Sequence, residues 1–523
     1  MRRLYWMLPA VMDPIEAAHK PGGEKPFDAS PAEPVSALPV TQTPSVPILL
    51  MVLALVTVAG GGALVRHFGG TIYPIAYAAA VLAALSLPLL LLGGWRRQLL
   101  EASRLLLGRS MEQWSLFAIF VFFLAFYGIT RFGPTPFYEP SVQAAAFLHG
   151  HAWVDAPGYM EQVGPICNTN LPIAKKLPDC DLTRFHGRTF LVHPPLAAIV
   201  MMPFVAAHGA VADGADQYQP SVSVLLGAIE VALAWRLLLL LGMAVSTRIW
   251  LTAFFGIGTT LWYEAALGAS WDFVSLVSVL PTLLALNEVF GKARPWLVGV
   301  FAALAALGRN DMAIAAPIYG LLLLTVRGRR LSSVFGMLPG FAMAGVVYGV
   351  FNYSRYGTFF DQALWLWYRC CDGNGYFNPS FHQAIPGPLS LHFLPVNLHT
   401  VLFLGWGLSD VAPWLHPLGG GQALILTSPA FILALRPSLK RWGSQLMWLA
   451  TVLCMGPAML WYANGFVQFG PRYWIQVYPF LLVLVALGIG RAQRADQLTK
   501  ILVLASILLV SFGMWHLHMF SFD

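Results

Sequence analysis

The feature that most constrains this chain is its succession of long apolar runs, at about 47–67, 71–94, 114–131, 191–211, 219–242, 246–263, 267–288, 295–308, 311–326, 332–352, 420–435, 443–462, 472–491 and 499–517. A helix crossing the hydrocarbon core of a bilayer needs about 17–25 apolar residues, and most of these runs reach that length. In lipid every backbone N–H and C=O must be satisfied within the segment itself or by a closed barrel. Barrel strands would appear as alternating segments of about ten residues, a pattern absent here. The runs therefore predict an all-α, polytopic membrane protein. Charged residues make up 11% of the 523 and hydrophobic ones 57%. A soluble domain would carry about 25% charged residues to wet its surface, so most of this surface faces lipid.

Basic clusters set the expected orientation. Arg96, Arg97, Arg104 and Arg109 mark the loop before the third run as cytoplasmic, because Lys and Arg accumulate on that side. Four further clusters read the same way: Lys292 with Arg294; Arg327 with Arg329 and Arg330; Arg436 with Lys440 and Arg441; Arg491 with Arg494 and Lys500. They all fall inside only if 191–211 does not cross. That leaves 13 transmembrane helices, with 191–211 expected as a juxtamembrane or re-entrant helix, its Pro194–Pro195 start and interior Pro203 suiting an irregular segment. Two long polar-aromatic segments, 132–190 and 353–419, become extracytoplasmic loops bearing juxtamembrane helices. The formal charge of +7 is accounted for by these orienting clusters and needs no nucleic-acid partner.

Three regions are expected along the chain. Residues 1–46, rich in proline and alanine, read as a disordered cytoplasmic tail and not as a secretory signal. Residues 47–113 hold two extra N-terminal transmembrane helices and a basic cytoplasmic loop, and 114–523 form one transmembrane domain. Five cysteines are too few for a disulfide framework. Cys167 and Cys180 share the first outer loop, where either a disulfide or free thiols are compatible with the spacing.

The same parity collects a mixed set of polar residues at the outer ends: Glu139, Glu264, Asp272, Arg309, Asn310, Asp311, Arg355, Asn464, Gln468, Arg472 and Tyr473. Any one of them reads equally as an ordinary helix-end residue. Together they supply carboxylates able to act as general bases and arginines able to hold a phosphate. The neighbouring aromatics Phe137, Tyr138, Trp153, Trp262, Tyr263 and Trp271 could line a groove for sugar and isoprenoid chains, although aromatics also populate membrane interfaces generally.

The order of motifs resembles the GT-C superfamily of membrane glycosyltransferases, in particular its protein O-mannosyltransferase and aminoarabinose-transferase branch. The outer loop opens on Phe137-Tyr138-Glu139-Pro140, leads into an amphipathic stretch ending at Leu148-His149-Gly150, and closes on Val192-His193-Pro194-Pro195-Leu196, similar to the His-Pro-Pro motif of O-mannosyltransferases. Trp271-Asp272-Phe273 stands where the family places a second acid, and Gly308-Arg309-Asn310-Asp311 where relatives have a basic residue in a short outer turn. Gly470-Pro471-Arg472-Tyr473 also fits, so the resemblance covers roughly 114–491. One departure is plain: the acid or acid pair that relatives carry one turn before Glu139 is replaced by Pro134-Thr135-Pro136.

The resemblance implies an enzyme that moves a sugar from a polyprenyl-phosphate donor to an acceptor (protein, lipid or glycan) on the extracytoplasmic face. It places the protein in the plasma membrane, the inner membrane of a bacterium, with the site facing outward. Glu139 is then the candidate base, or alternatively a structural acid capping the following helix. Asp272 is the second acid. Arg309 and Arg472 would stabilise the departing lipid phosphate, with Arg355, His193 and Tyr473 as further binding residues. No cofactor is required. A divalent cation, if one binds, would sit on Glu139 and Asp272. No Gly-rich phosphate loop, Walker motif or zinc spacing occurs, and His149 and His151 are two apart in a loop. Two rival classes remain, a transporter or lipid flippase and a non-catalytic membrane scaffold. The former needs a polar path, yet the mid-span ions Glu230 and Arg236 lie six apart and do not share a helix face.

Overall fold

The computed structural model describes residues 111–135, 137–154, 182–208, 215–367, 388–410, 412–461, 468–490 and 494–520. The expected tail 1–46, the first two runs, Cys167, Cys180 and Asn464 lie outside these residues. The chain forms α1 (Met111–Ile129), α2 (Glu139–Leu148), a hairpin of β1 (Leu182–Phe185) and β2 (Arg188–Leu191), α3 (Leu196–His208), α4 (Ala215–Leu240), α5 (Val245–Ile257), α6 (Leu261–Leu267), α7 (Ser270–Phe290) and α8 (Pro295–Gly308). A 3-10 turn (Asn310–Ala315) leads to α9 (Ala316–Thr325), α10 (Leu331–Val334), α11 (Leu338–Tyr356) and α12 (Ala363–Trp367). Then follow α13 (Leu394–Phe403), a second hairpin of β3 (Gly407–Leu408) and β4 (Leu415–His416), α14 (Leu424–Thr427) and a 3-10 turn (Pro429–Leu435). The chain ends with α15 (Trp442–Leu460), a 3-10 turn (Arg472–Val477), α16 (Tyr478–Ile489) and α17 (Gln497–Phe520).

Among the described residues seven helical stretches are long and apolar enough to cross a membrane: Glu112–Ile129, Tyr218–Leu240, Ser270–Phe290, Leu331–Tyr356, Trp442–Leu460, Arg472–Ile489 and Gln497–Phe520. The protein is thus a helical, multi-pass membrane protein. The other expected spans in this part fold as shorter pieces. Run 246–263 bends at Gly258 between α5 and α6; α8 stops at Gly308, where Arg309 turns extended; and 420–435 is broken at Ser428-Pro429. Proline and glycine interrupt the i to i−4 ladder, so an apolar run does not by itself guarantee one continuous helix. The two β-hairpins are local departures from an all-α chain and lie in the long loops.

Contacts between turns sort the bundle into two ends. At one, Arg327 donates to the Gly291 carbonyl (2.8 Å), Arg329 to that of Lys292 (2.9 Å), and Arg436 pairs with Asp496 (3.0 Å). At the other, Arg131 after α1 donates to Ser221 of α4 (2.7 Å) and the Phe132 amide to the Ala266 carbonyl (3.0 Å). There too His518 of α17 meets the Thr130 carbonyl (3.1 Å). Helix α3 begins and ends at this second end: Arg355 donates to the Leu191 carbonyl just before it (2.8 Å), and the His208 ring stacks 5.4 Å from Tyr218 at the start of α4. Its 13 residues reach about 20 Å, short of a bilayer core.

Helix α7 sits at the centre, with 89% of its apolar window buried, whereas the Leu331–Tyr356 stretch is 17% buried and turns Met343, Val346 and Val350 outward. Small residues let α8 and α11 approach: a Cβ on Gly340 would lie 2.6 Å from the Val300 amide nitrogen. Close backbone contact at small residues is how helices associate where lipid removes the hydrophobic drive between them.

Candidate active site

The site grows from a helix–glycine–helix turn. Helix α6 ends at Gly268, which has φ +62°, a conformation that only glycine adopts without strain. A Cβ there would also strike Pro220 at 2.6 Å. The turn is pinned from α4, where Ser223 Oγ donates to the Glu264 carbonyl (3.2 Å) and Gln219 Nε2 to that of Gly268 (3.0 Å). Reversing the chain at Gly268 brings Glu264, on the last turn of α6, against Asp272, on the first turn of α7. Both are fully buried and lie within electrostatic reach of each other, and none of their four carboxyl oxygens has a hydrogen-bond partner among the described residues. Two like charges this close in a buried site disfavour ionisation of both. Burial pushes the Glu264 carboxyl well above the usual carboxylate range, and the charge of Asp272 adds to the rise. That environment favours the neutral form of Glu264. Asp272, at a helix N-terminus, sits where a negative charge is favoured.

A second turn supplies the cations. Gly470, at φ +71°, packs on Thr260, and its amide is held by Gln422 Oε1 (3.1 Å). Arg472 follows and lies within electrostatic reach of both acids. It is 5% exposed and stacks over Trp271 (5.1 Å) and Tyr473 (5.4 Å). Arg309 reaches the other side of the cluster, with its guanidinium also 5.4 Å from the Tyr473 ring. It pairs loosely with Asp311 (3.5 Å), which accepts a firmer bond from Gln476 Nε2 (2.9 Å). Several polar atoms here are buried without a hydrogen-bond partner among the described residues: Arg472 Nε and Nη1, Trp271 Nε1, Asp311 Oδ1 and Gln476 Oε1. Buried polar groups are normally paired, so this concentration marks a place built to meet something else. Burial and the two neighbouring acids also push the Tyr263 phenol well above its ordinary value, which keeps it neutral.

The sequence-predicted residues divide. Asp272, Arg309, Arg472 and Tyr473 converge. Glu139 opens α2 with its backbone N–H donating to Ser270 Oγ (2.9 Å), while the Ser270 hydroxyl donates back to its carboxylate. This reciprocal bond ties the start of α2 to the start of α7, two residues from Asp272. The Arg355 guanidinium is bonded to the Leu191 carbonyl (2.8 Å), Asn352 Oδ1 (2.7 Å) and Asp361 (3.3 Å) and stacks on Phe351; Asp361 in turn accepts from Tyr348 (2.6 Å), to which Asn310 donates (2.6 Å), so Arg355 joins the cluster only through this chain. It clamps the first hairpin to α11, while its Nε has no hydrogen-bond partner among the described residues. His193 is half-buried in the turn between β2 and α3. Among the described residues no three His, Cys, Asp or Glu side chains gather as a metal-ligand set; Glu264 and Asp272 would be the nearest carboxylate pair for a cation. Sequence reasoning placed Glu264 and Asp311 on the right end without giving them roles, and passed over Gln476. The usable signals were the glycine midway between Glu264 and Asp272, and the four-residue step from Arg472 to Gln476.

No family description, curated protein or solved structure matches the chain in comparisons with known proteins.

Proposed function

We propose that this protein is a membrane glycosyltransferase that takes a sugar from a polyprenyl-phosphate carrier. The observation that carries the reading is the buried meeting of an acid pair, Glu264 and Asp272, with two guanidiniums at one end of a multi-pass bundle. Ionisable groups at such depth are costly and are kept for function. Three carboxyls, Glu264, Asp272 and Asp311, face Arg309 and Arg472; one proton retained on the acid pair makes the cluster neutral.

The chemistry follows from this charge balance. An acceptor hydroxyl is a weak nucleophile, so Asp272 takes its proton as the oxygen bonds to the anomeric carbon. The bond from that carbon to the phosphate oxygen breaks, and polyprenyl phosphate departs with the electron pair. Its growing charge is met by Arg472, with Arg309 beside it, in a site where the donors are already oriented. Glu264, buried beside Asp272 across the Gly268 turn, keeps the proton that balances the charge of the cluster. Glu139 acts one step back, fixing the start of α7 through Ser270.

The test uses the full-length protein reconstituted in lipid with radiolabelled polyprenyl-phospho-hexoses and a membrane extract as acceptor source. Label should leave the lipid-phosphate fraction for a covalent product, and this should fail with Asp272→Asn. Full transfer by that variant would remove the site assignment. A transporter or flippase has one observation in its favour: Glu230, buried inside α4, has neither carboxyl oxygen paired among the described residues. Substrate flux into proteoliposomes with no covalent product would decide for it.

A further inference from the structure

We infer that Asp311 and Gln476 form a hydroxyl-reading subsite for the sugar of the lipid-linked donor, distinct from the phosphate-binding side at Arg472 and Trp271. This rests on the glycosyltransferase reading and adds to it which groups recognise the sugar. The Gln476 amide is oriented by chemistry: only its NH₂ can face the Asp311 carboxylate, which it meets at 2.9 Å. Its Oε1 must therefore point away. That oxygen and Asp311 Oδ1 are both buried and without partners among the described residues. Gln476 is fully buried and the Asp311 side chain is 9% exposed, so neither acceptor is satisfied by bulk water.

Two adjoining acceptors, one of them charged, call for O–H donors and repel an anion. Neighbouring hydroxyls of a sugar ring meet that demand; a phosphate does not. The complementary donors, Arg472 Nε and Nη1 and Trp271 Nε1, are equally unpartnered and suit the phosphate. Tyr473 lies between the two sides, with both guanidiniums 5.4 Å from its ring. Entry is available beside the pair, because Asn310 is exposed and Arg309 and Tyr473 are half-buried. Gln476 is four residues after Arg472 on one 3-10 turn, so the sugar and phosphate subsites are carried by a single rigid element.

The experiment compares binding of farnesyl phosphate with a panel of farnesyl-phospho-hexoses to the full-length protein in nanodiscs. In the wild type at least one hexose should raise affinity about 10–100-fold over farnesyl phosphate, the range for hydrogen bonds to a charged group. Asp311→Asn, which puts an amide N–H where Oδ1 accepts, and Gln476→Leu should abolish that increment. Gln476→Leu should leave farnesyl phosphate binding within about twofold, Asp311→Asn should leave it no weaker because it removes a carboxylate paired with Arg309, and Arg472→Gln should weaken both ligands. If Gln476→Leu does not fold, Asp311→Asn alone answers the question. Survival of the hexose increment in Asp311→Asn, with farnesyl phosphate binding intact, overturns the subsite. Failure of the wild type to bind any lipid phosphate overturns the glycosyltransferase reading instead, and this inference with it.

Discussion

If Glu264 carries the proton of the acid pair, Glu264→Gln and Asp272→Asn should behave very differently despite removing one carboxyl each. Glutamine has nearly the shape of a protonated glutamate and is likewise neutral beside Asp272. The change is then one neutral polar group for another, worth about 1 kcal/mol, or about fivefold in rate. Asp272→Asn removes the group that accepts the acceptor's proton, and loss of a positioned general base costs about 10²–10⁴-fold. The two variants should therefore differ by at least about twentyfold in initial rate of label transfer, measured at saturating donor near pH 7. Stability gives an independent check. A carboxyl raised by burial favours the folded state below its unfolded pKa, and that contribution is lost as pH rises toward the folded value. The melting temperature of wild type relative to Glu264→Gln should thus fall between pH 5 and pH 8. Equal rates for the two variants, or a relative stability that rises with pH, would refute the shared-proton account.

Three further outcomes follow from the packing. Arg355→Gln should destabilise the protein by on the order of 3–5 kcal/mol, because it strips a buried guanidinium from Asp361 and the Leu191 carbonyl. Thermal unfolding reports that loss, and the donor KM of the folded fraction should be unchanged. Gly340→Ala pushes a methyl onto the α8 backbone at Val300, and overpacking of this kind costs about 1–3 kcal/mol, read as a lowered melting temperature at constant activity per folded molecule. In a background lacking the native cysteines, Ala207→Cys and Asn310→Cys, both exposed at the site end, should react with an impermeant maleimide from the same side of the membrane; labelling from opposite sides would mean that α3 crosses.

Much of the scaffold was legible because its causes are local. Residues 219–242 and 472–491 are apolar over a bilayer's thickness whatever they pack against, and both appear among the seven crossing helices. The clusters at Lys292, Arg327 and Arg436 likewise meet at one end, because alternation of spans is a counting property of the chain. Where a run breaks was harder to see. Gly258 and Gly308 lie within or beside uniformly apolar sequence, and whether such a glycine bends a helix or seats it against a neighbour depends on the neighbour.

The sequence alone determined the class of molecule and the end of the bundle at which acids and arginines gather, since both follow from hydrophobic length and charge order. Only the tertiary structure decided which of those residues act together. Glu264 meets Asp272 because Gly268 turns left-handed against Pro220. Glu139 meets Ser270 because the start of α2 packs on the start of α7, and Arg355 is bonded to Leu191, Asn352 and Asp361. Hydrogen bonding between side chains needs contact within about 3 Å, and contact at that range is set by helix rotation and turn geometry, which no single segment encodes.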